Sequence, residues 1–197
     1  MNPRLRRMSS AVAAVLLIGC SAAPPTRFHT LLDETAAAPS RGARPLGWVL
    51  LPVSVPSRVD QPQLVVSADD GTLAVLERER WIAPLADEIH AALAERLAQA
   101  FGPATAAGGR SAWRIRVDVK RFDSAPGRYA RLDVVWTLHA GDSGGAAALS
   151  CRSAFEQAVG LGFPALAAGH RQAVGQLAGA VAATLPALAA GQPASCP

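Results

Sequence analysis

The chain is poor in the residues from which most sites are built. Of its 197 residues three are cysteine, four histidine and one tyrosine, and Lys120 is the only lysine. No CxxC pair and no Cys/His cluster is present, which leaves structural zinc and redox-dithiol chemistry without ligands. The HExxH, GxSxG, GxGxxG and P-loop spellings are also missing. No pair of carboxylates stands at a spacing that would assign an acid and a base, so the sequence reads as non-enzymatic, with no catalytic residue, metal or cofactor. The basic balance is equally thin. Arg4, Arg6 and Arg7 lie in the first twenty residues, and without residues 1–19 the chain carries 16 basic against 15 acidic side chains. That near-neutral balance removes the electrostatic argument for a nucleic-acid partner.

What is present begins at the amino terminus. Three arginines precede an apolar run from Ala11 to Ile18, followed by Leu17-Ile18-Gly19-Cys20. A basic segment, a short apolar segment and small residues at the cut describe a secretory signal. The run is short for the ~30 Å of a bilayer core, which disfavours an uncleaved anchor. The spelling before Cys20 resembles the lipobox of bacterial lipoproteins, in which the cysteine thiol takes a diacylglycerol and the signal is cut before it. By that resemblance residues 1–19 are a signal peptide, Cys20 is the lipidated first residue, and 20–27 form a tether to a domain over 28–197. Ser21, where an aspartate would retain the protein at the inner membrane under the enterobacterial sorting rule, favours the periplasmic face of the outer membrane. In that oxidising compartment Cys151 and Cys196 become a candidate disulfide, Cys20 being consumed by lipid; two unpaired thiols are the alternative.

Residues 33–46 read as a loop and Trp48–Val55 as a strand that Pro52 pushes to an edge. Leu64–Ser67 and Thr72–Glu77 flank an Asp69-Asp70-Gly71 turn. Leu85, Ile89, Leu93, Leu97 and Phe101 recur every four residues and predict a helix from Pro84 to Phe101, with Asp87, Glu88, Glu95 and Gln99 turned away from its apolar stripe. Alternation over Trp113–Lys120 and Tyr129–His139 predicts two paired strands, and a third runs from Ala147 to Val159. A second helix covers Pro164 to Leu188, bent or ended at Pro186. The order gives a single α/β or α+β domain, a mixed and largely antiparallel sheet with two helices packed on it.

Gly141-Asp142-Ser143-Gly144-Gly145 spells the nucleophile loop of trypsin-like proteases, but no His and Asp stand in that family's setting, so Ser143 reads as a hairpin-turn residue. His29, His90, His139 and His170 read as solvated or capping groups. Trp81 reads either as a staple at the helix entry or as a partner-facing ring. It joins Pro52 as a candidate contact residue.

The mature chain resembles the ABC-type transport auxiliary lipoprotein family, which includes the PqiC-like lipoproteins of the paraquat-inducible system. The resemblance rests on Cys20 followed by Arg27-Phe28-His29-Thr30-Leu31, on Val53-Ser54-Val55-Pro56 with Pro62-Gln63-Leu64-Val65, on Arg80-Trp81 to Leu85, on Val117-Asp118-Val119 to Phe122, and on Leu132 to Leu138. Gln61 departs from it, standing where an arginine is frequent. The resemblance implies a docking subunit at the outer membrane for an MCE-type tube protein and its transporter complex, which carry lipid and maintain the envelope. A closed homo-oligomer would match a tube end. A stand-alone ligand-binding or assembly lipoprotein of another envelope machine is the alternative.

Overall fold

The computed structural model describes residues 24–33, 46–68, 70–105, 112–141 and 149–197. Its strands are β1 (Arg27–His29), β2 (Trp48–Leu50), β3 (Gln63–Ser67), β4 (Leu73–Trp81), β5 (Trp113–Ala125), β6 (Tyr129–His139) and β7 (Leu149–Ala158). Its helices are α1 (Leu85–Phe101), between β4 and β5, and α2 (Phe163–Ala189), after β7. The α/β class, the two helices and the single domain are as the sequence predicts. The strands, however, are divided between two mixed sheets, ordered β1-β4-β3 and β2-β5-β6-β7.

The four-stranded sheet is organised by alternation. Ile115, Val117 and Val119 on β5, Leu132, Val134, Trp136 and Leu138 on β6, and Cys151 on β7 are all buried. A bulge at Lys120 interrupts the β5–β6 register, with Val119 opposite Val134 and Arg121 opposite Asp133. An inserted residue reverses which parity faces inward. Beyond it Phe122 and Ser124 point into the core, and β5 continues to Ala125, past the Lys120 end that the alternation suggests.

The predicted Trp48–Val55 strand is shorter in the structure. Only Trp48–Leu50 pairs continuously, parallel to β5, and after Pro52 the chain touches β5 again through a single bridge from Ser54 to Asp118. Proline offers no amide to the ladder, and β2 lies at the sheet edge accordingly.

Helix α1 starts after Pro84, whose carbonyl accepts from the Asp87 and Glu88 amides, and stops at Gly102, whose φ of 83° suits glycine. Its Leu85, Ile89, Leu93 and Leu97 are buried, as their spacing requires. Helix α2 buries Leu166, Val174, Leu177, Val181 and Leu185 and packs on α1, β6 and β7. Pro186 lies inside its last turn without ending it. By length and composition α2 could cross a membrane, yet its apolar stripe is spent on the sheet. The fit is closest at Gly169, where an added Cβ would stand 2.4 Å from Val159 Cγ1 and 3.0 Å from Ala130 Cβ. Any larger residue there would lift the helix off β6 and β7.

Candidate functional site

The segment that leaves the proposed anchor is stitched into the domain at four places. β1 pairs in parallel with the end of β4, Arg27 opposite Glu79 and His29 opposite Trp81, and the His29 carbonyl accepts from the Ile82 amide at 2.9 Å. The Glu79 side chain, only 7% exposed, receives Arg27 Nε at 2.7 Å and stands 2.7 Å from His29 Nε2. It points inward because β4 slips against β3 between Gln63 and Leu64, which turns Glu79 and Trp81 toward the core. Further along, Glu88 of α1 accepts from the Leu31 amide at 2.7 Å and from the Thr30 hydroxyl at 2.8 Å. Arg171 of α2 donates to the Thr30 carbonyl at 3.0 Å, and Arg96 of α1 reaches Asp33 at 3.5 Å. Leu31 itself is fully buried.

Glu88 is a correction to the sequence reading, which turned it away from the apolar stripe. The structure buries it at 3% exposure because it is the acceptor that the incoming chain lacks. Truncation would strand a buried amide, so Glu88→Ala is expected to cost ~2–3 kcal/mol. Chemical denaturation measures the loss, and faster hydrogen exchange at the Leu31 amide locates it.

A second polar pair lies deeper. Ser124 Oγ on β5 and His170 Nε2 on α2 are 2.8 Å apart, with Phe122 stacked on the imidazole at 3.9 Å between ring centroids. The sequence places His170 among solvated or capping groups; the structure buries it completely, the bulge at Lys120 having aimed Ser124 at it. The spacing suits a nucleophile and base, but the imidazole Nδ1 has no partner to orient it, and both side chains are sealed from substrate. The pair pins β5 to α2. With the proton assigned to Nε2, His170 donates to Ser124 and only an acceptor lone pair stays unsatisfied.

Burial pushes the His170 pKa down to about 3. Below about pH 6.5 the unfolded chain takes up a proton that the folded chain refuses, so stability is lost as the pH falls from that value toward about 3. The slope approaches ~1.4 kcal/mol per pH unit for this one group. A His170→Gln chain is expected to lose that part of the acid dependence, which urea denaturation at pH 7 and pH 4.5 would show.

The other sequence candidates fall as follows. Cys20 and Ser143 lie outside the described residues. Pro52 is exposed beside the β2 edge. Trp81 is 3% exposed, its ring edge-on to Phe122 and His170, so it presents no surface to a partner and is a core residue. His29 is engaged with Glu79, and His90 stands 3.3 Å from the Leu50 carbonyl. Cys151 and Cys196 form a disulfide with Cα atoms 5.5 Å apart. Among the described residues no group of three or more His, Cys, Asp or Glu side chains could hold a metal.

Two solved structures share this fold. One, a crystal structure of an uncharacterized protein, superposes with a TM-score of 0.66 at 17% identity, covering 81% of this chain and 98% of its own. The other, protein XCC0632 from Xanthomonas campestris, assigned to family DUF330, gives 0.61 at 20% identity over 78% of this chain and 90% of its own. No curated protein matches the sequence. The profile of the ABC-type transport auxiliary lipoprotein component matches residues 29–182, a span running from the stitched segment almost to the end of α2, and the chain belongs to that family.

Proposed function

We propose that this protein is a non-enzymatic docking subunit, lipid-anchored through Cys20 on the periplasmic face of the outer membrane, that holds an MCE-type lipid-transfer tube and its transporter complex there. Family membership supplies the coarser statement, an auxiliary component of ABC-type transport. The observation that carries the finer reading is the stitched amino-terminal segment. Pro24 follows Cys20 by four residues, and within the next ten the chain is tied to β4, α1 and α2 through Glu79, Glu88, Arg171 and Arg96. A load on the lipid anchor therefore passes directly into the domain core, as holding a partner requires. In the four-stranded sheet the β2 edge, with exposed Pro52, and the part of the β7 edge beyond the Cys151–Cys196 bond offer strands for contact, and edge-to-edge pairing would also close a homo-oligomeric ring.

In-cell crosslinking of the natively lipidated protein tests this reading. The expected result is recovery of an MCE protein, lost when charges or prolines are placed on the β2 or β7 edge, together with increased envelope permeability in a deletion strain lacking parallel systems. A preparation free of any MCE protein, with a normal envelope in that strain, would favour a lipoprotein serving another machine.

A further inference from the structure

The large apolar side chains left exposed among the described residues are Phe28, Leu32, Leu73, Val75, Ile82 and Leu161. Phe28 lies on β1, Leu73 and Val75 on β4, Ile82 directly after β4, and Leu32 three residues after β1. The sixth, Leu161, is 91% exposed in the loop before α2, two residues ahead of Phe163. Phe163 in turn lines one hollow together with Pro24 and Val75. Exposed apolar surface is thus gathered on the small sheet, at the place where the chain arrives from Cys20.

The outward face of the four-stranded sheet is built differently. There Arg131 bonds Asp133 and Glu156, and Asp123 meets both Arg121 and Arg58. Charge pairs of this kind suit water. Leucine, valine, isoleucine and phenylalanine gathered on one sheet face make the kind of exposed apolar patch that marks a contact surface.

We propose that the outward face of β1 and β4, with Leu161 beside it, rests on the phospholipid surface that holds the lipid anchor, so that the domain lies on the membrane in one fixed orientation. The inference rests on lipidation of Cys20. From Cys20 to Pro24 the chain can extend at most ~14 Å, which keeps this end of the domain against the headgroups. Pro24 and Pro25 have no amide to offer β4, whose edge from Leu73 to Arg78 lies beyond the three residues that β1 pairs. The tether therefore cannot extend β1 along that edge, and it meets the face only where Pro24 lies beside Val75. Arg78, and Arg27 in its pair with Glu79, flank the apolar side chains, with one acidic group beside them, Glu77, held by Arg80; guanidinium beside apolar groups is the composition that settles at an anionic headgroup boundary.

The test uses the full lipidated protein in vesicles of phosphatidylethanolamine and phosphatidylglycerol. An environment-sensitive fluorophore is attached to Leu161→Cys or, as a control, to Arg114→Cys. Arg114 is exposed near the opposite end of β5 from the Gly127 turn beside which Leu161 lies, ~36 Å away along the strand. Nitroxide-headgroup lipids are expected to quench the Leu161→Cys label several-fold more than the control. Adding Leu73→Asp and Val75→Asp should reduce that difference while the protein still floats with the vesicles. Equal quenching at the two sites in a protein that floats would overturn the orientation and leave the anchor intact. A Leu161→Cys label already shielded without lipid would also overturn it, assigning the face to a second copy. Failure to float at all would overturn both the anchor and the orientation that depends on it.

Discussion

A Cys20→Ala chain is expected to lose its lipid anchor and with it any function that depends on position at the outer membrane. Each buried acyl methylene contributes about 0.8 kcal/mol, so one chain holds a protein reversibly and two or three hold it permanently. The one helix among the described residues long enough to span a membrane has its apolar stripe packed against α1, β6 and β7. The variant should take up no labelled palmitate and should accumulate as precursor or away from the outer membrane, while its domain, tied through Glu79 and Glu88, remains folded. Recovery of a mature, palmitate-bearing form in the outer-membrane fraction would refute the lipobox reading. A stronger comparison adds a chain carrying an unrelated transmembrane anchor before Pro24. Restored envelope behaviour would show that attachment alone is needed, whereas continued failure would show that the short reach from lipid to domain matters.

How far the sequence reveals this molecule depends on whether a residue's partner is local. Helix α1 and strand β6 end where their periodicity says, because four-residue and two-residue spacings report one continuous buried face. β5 was readable only as far as Lys120, since a bulge reverses the alternation there and the inward residues Phe122 and Ser124 then look outward in the sequence. β1 and β2, at three residues each, are too short to carry a period. Their parallel pairing with β4 and β5 is what divides the strands into two sheets.

The same division runs through the candidate site. The cysteine pair was legible, because compartment and count left Cys151 and Cys196 together. Glu88 and His170 were not, because a carboxylate and an imidazole on helices read as solvated until their partners are known. Those partners, the Leu31 amide and Ser124, are 57 and 46 positions away. One signal could have found Glu88: it stands only three residues beyond Leu85, beside the buried stripe and not opposite it. Trp81 left two readings open, a staple at the helix entry and a partner-facing ring, and its burial against Phe122 and His170 fits the first. The slip in β4 had turned it inward.

The disulfide supplies the other large expected effect. Cys151 sits buried in β7, an edge strand, and Cys196 lies in the tail after α2, 45 positions later. The tail has few other ties: Gln192 donates to the Ala187 carbonyl, and Pro197 lines a hollow between β7 and α2 with Ala154 and Ala180. In the chain-entropy account, closing a loop of this length removes about 4 kcal/mol of freedom from the unfolded chain, a large part of a domain's typical 5–15 kcal/mol. Cys196→Ser is therefore expected to lower the stability of the oxidised protein by about that amount. The direction of the second effect distinguishes this from simple loss of packing. In excess reductant the wild type should fall to the level of the variant, because both then lack the bond, whereas a packing defect would keep them apart. Guanidinium denaturation of both proteins, with and without reductant, measures the comparison. Release of the tail should also raise hydrogen exchange along the outer side of β7 and leave β5 and β6 unchanged, since each of those is paired on both sides. Equal stability of the two oxidised proteins would show that the bond contributes nothing to holding this edge.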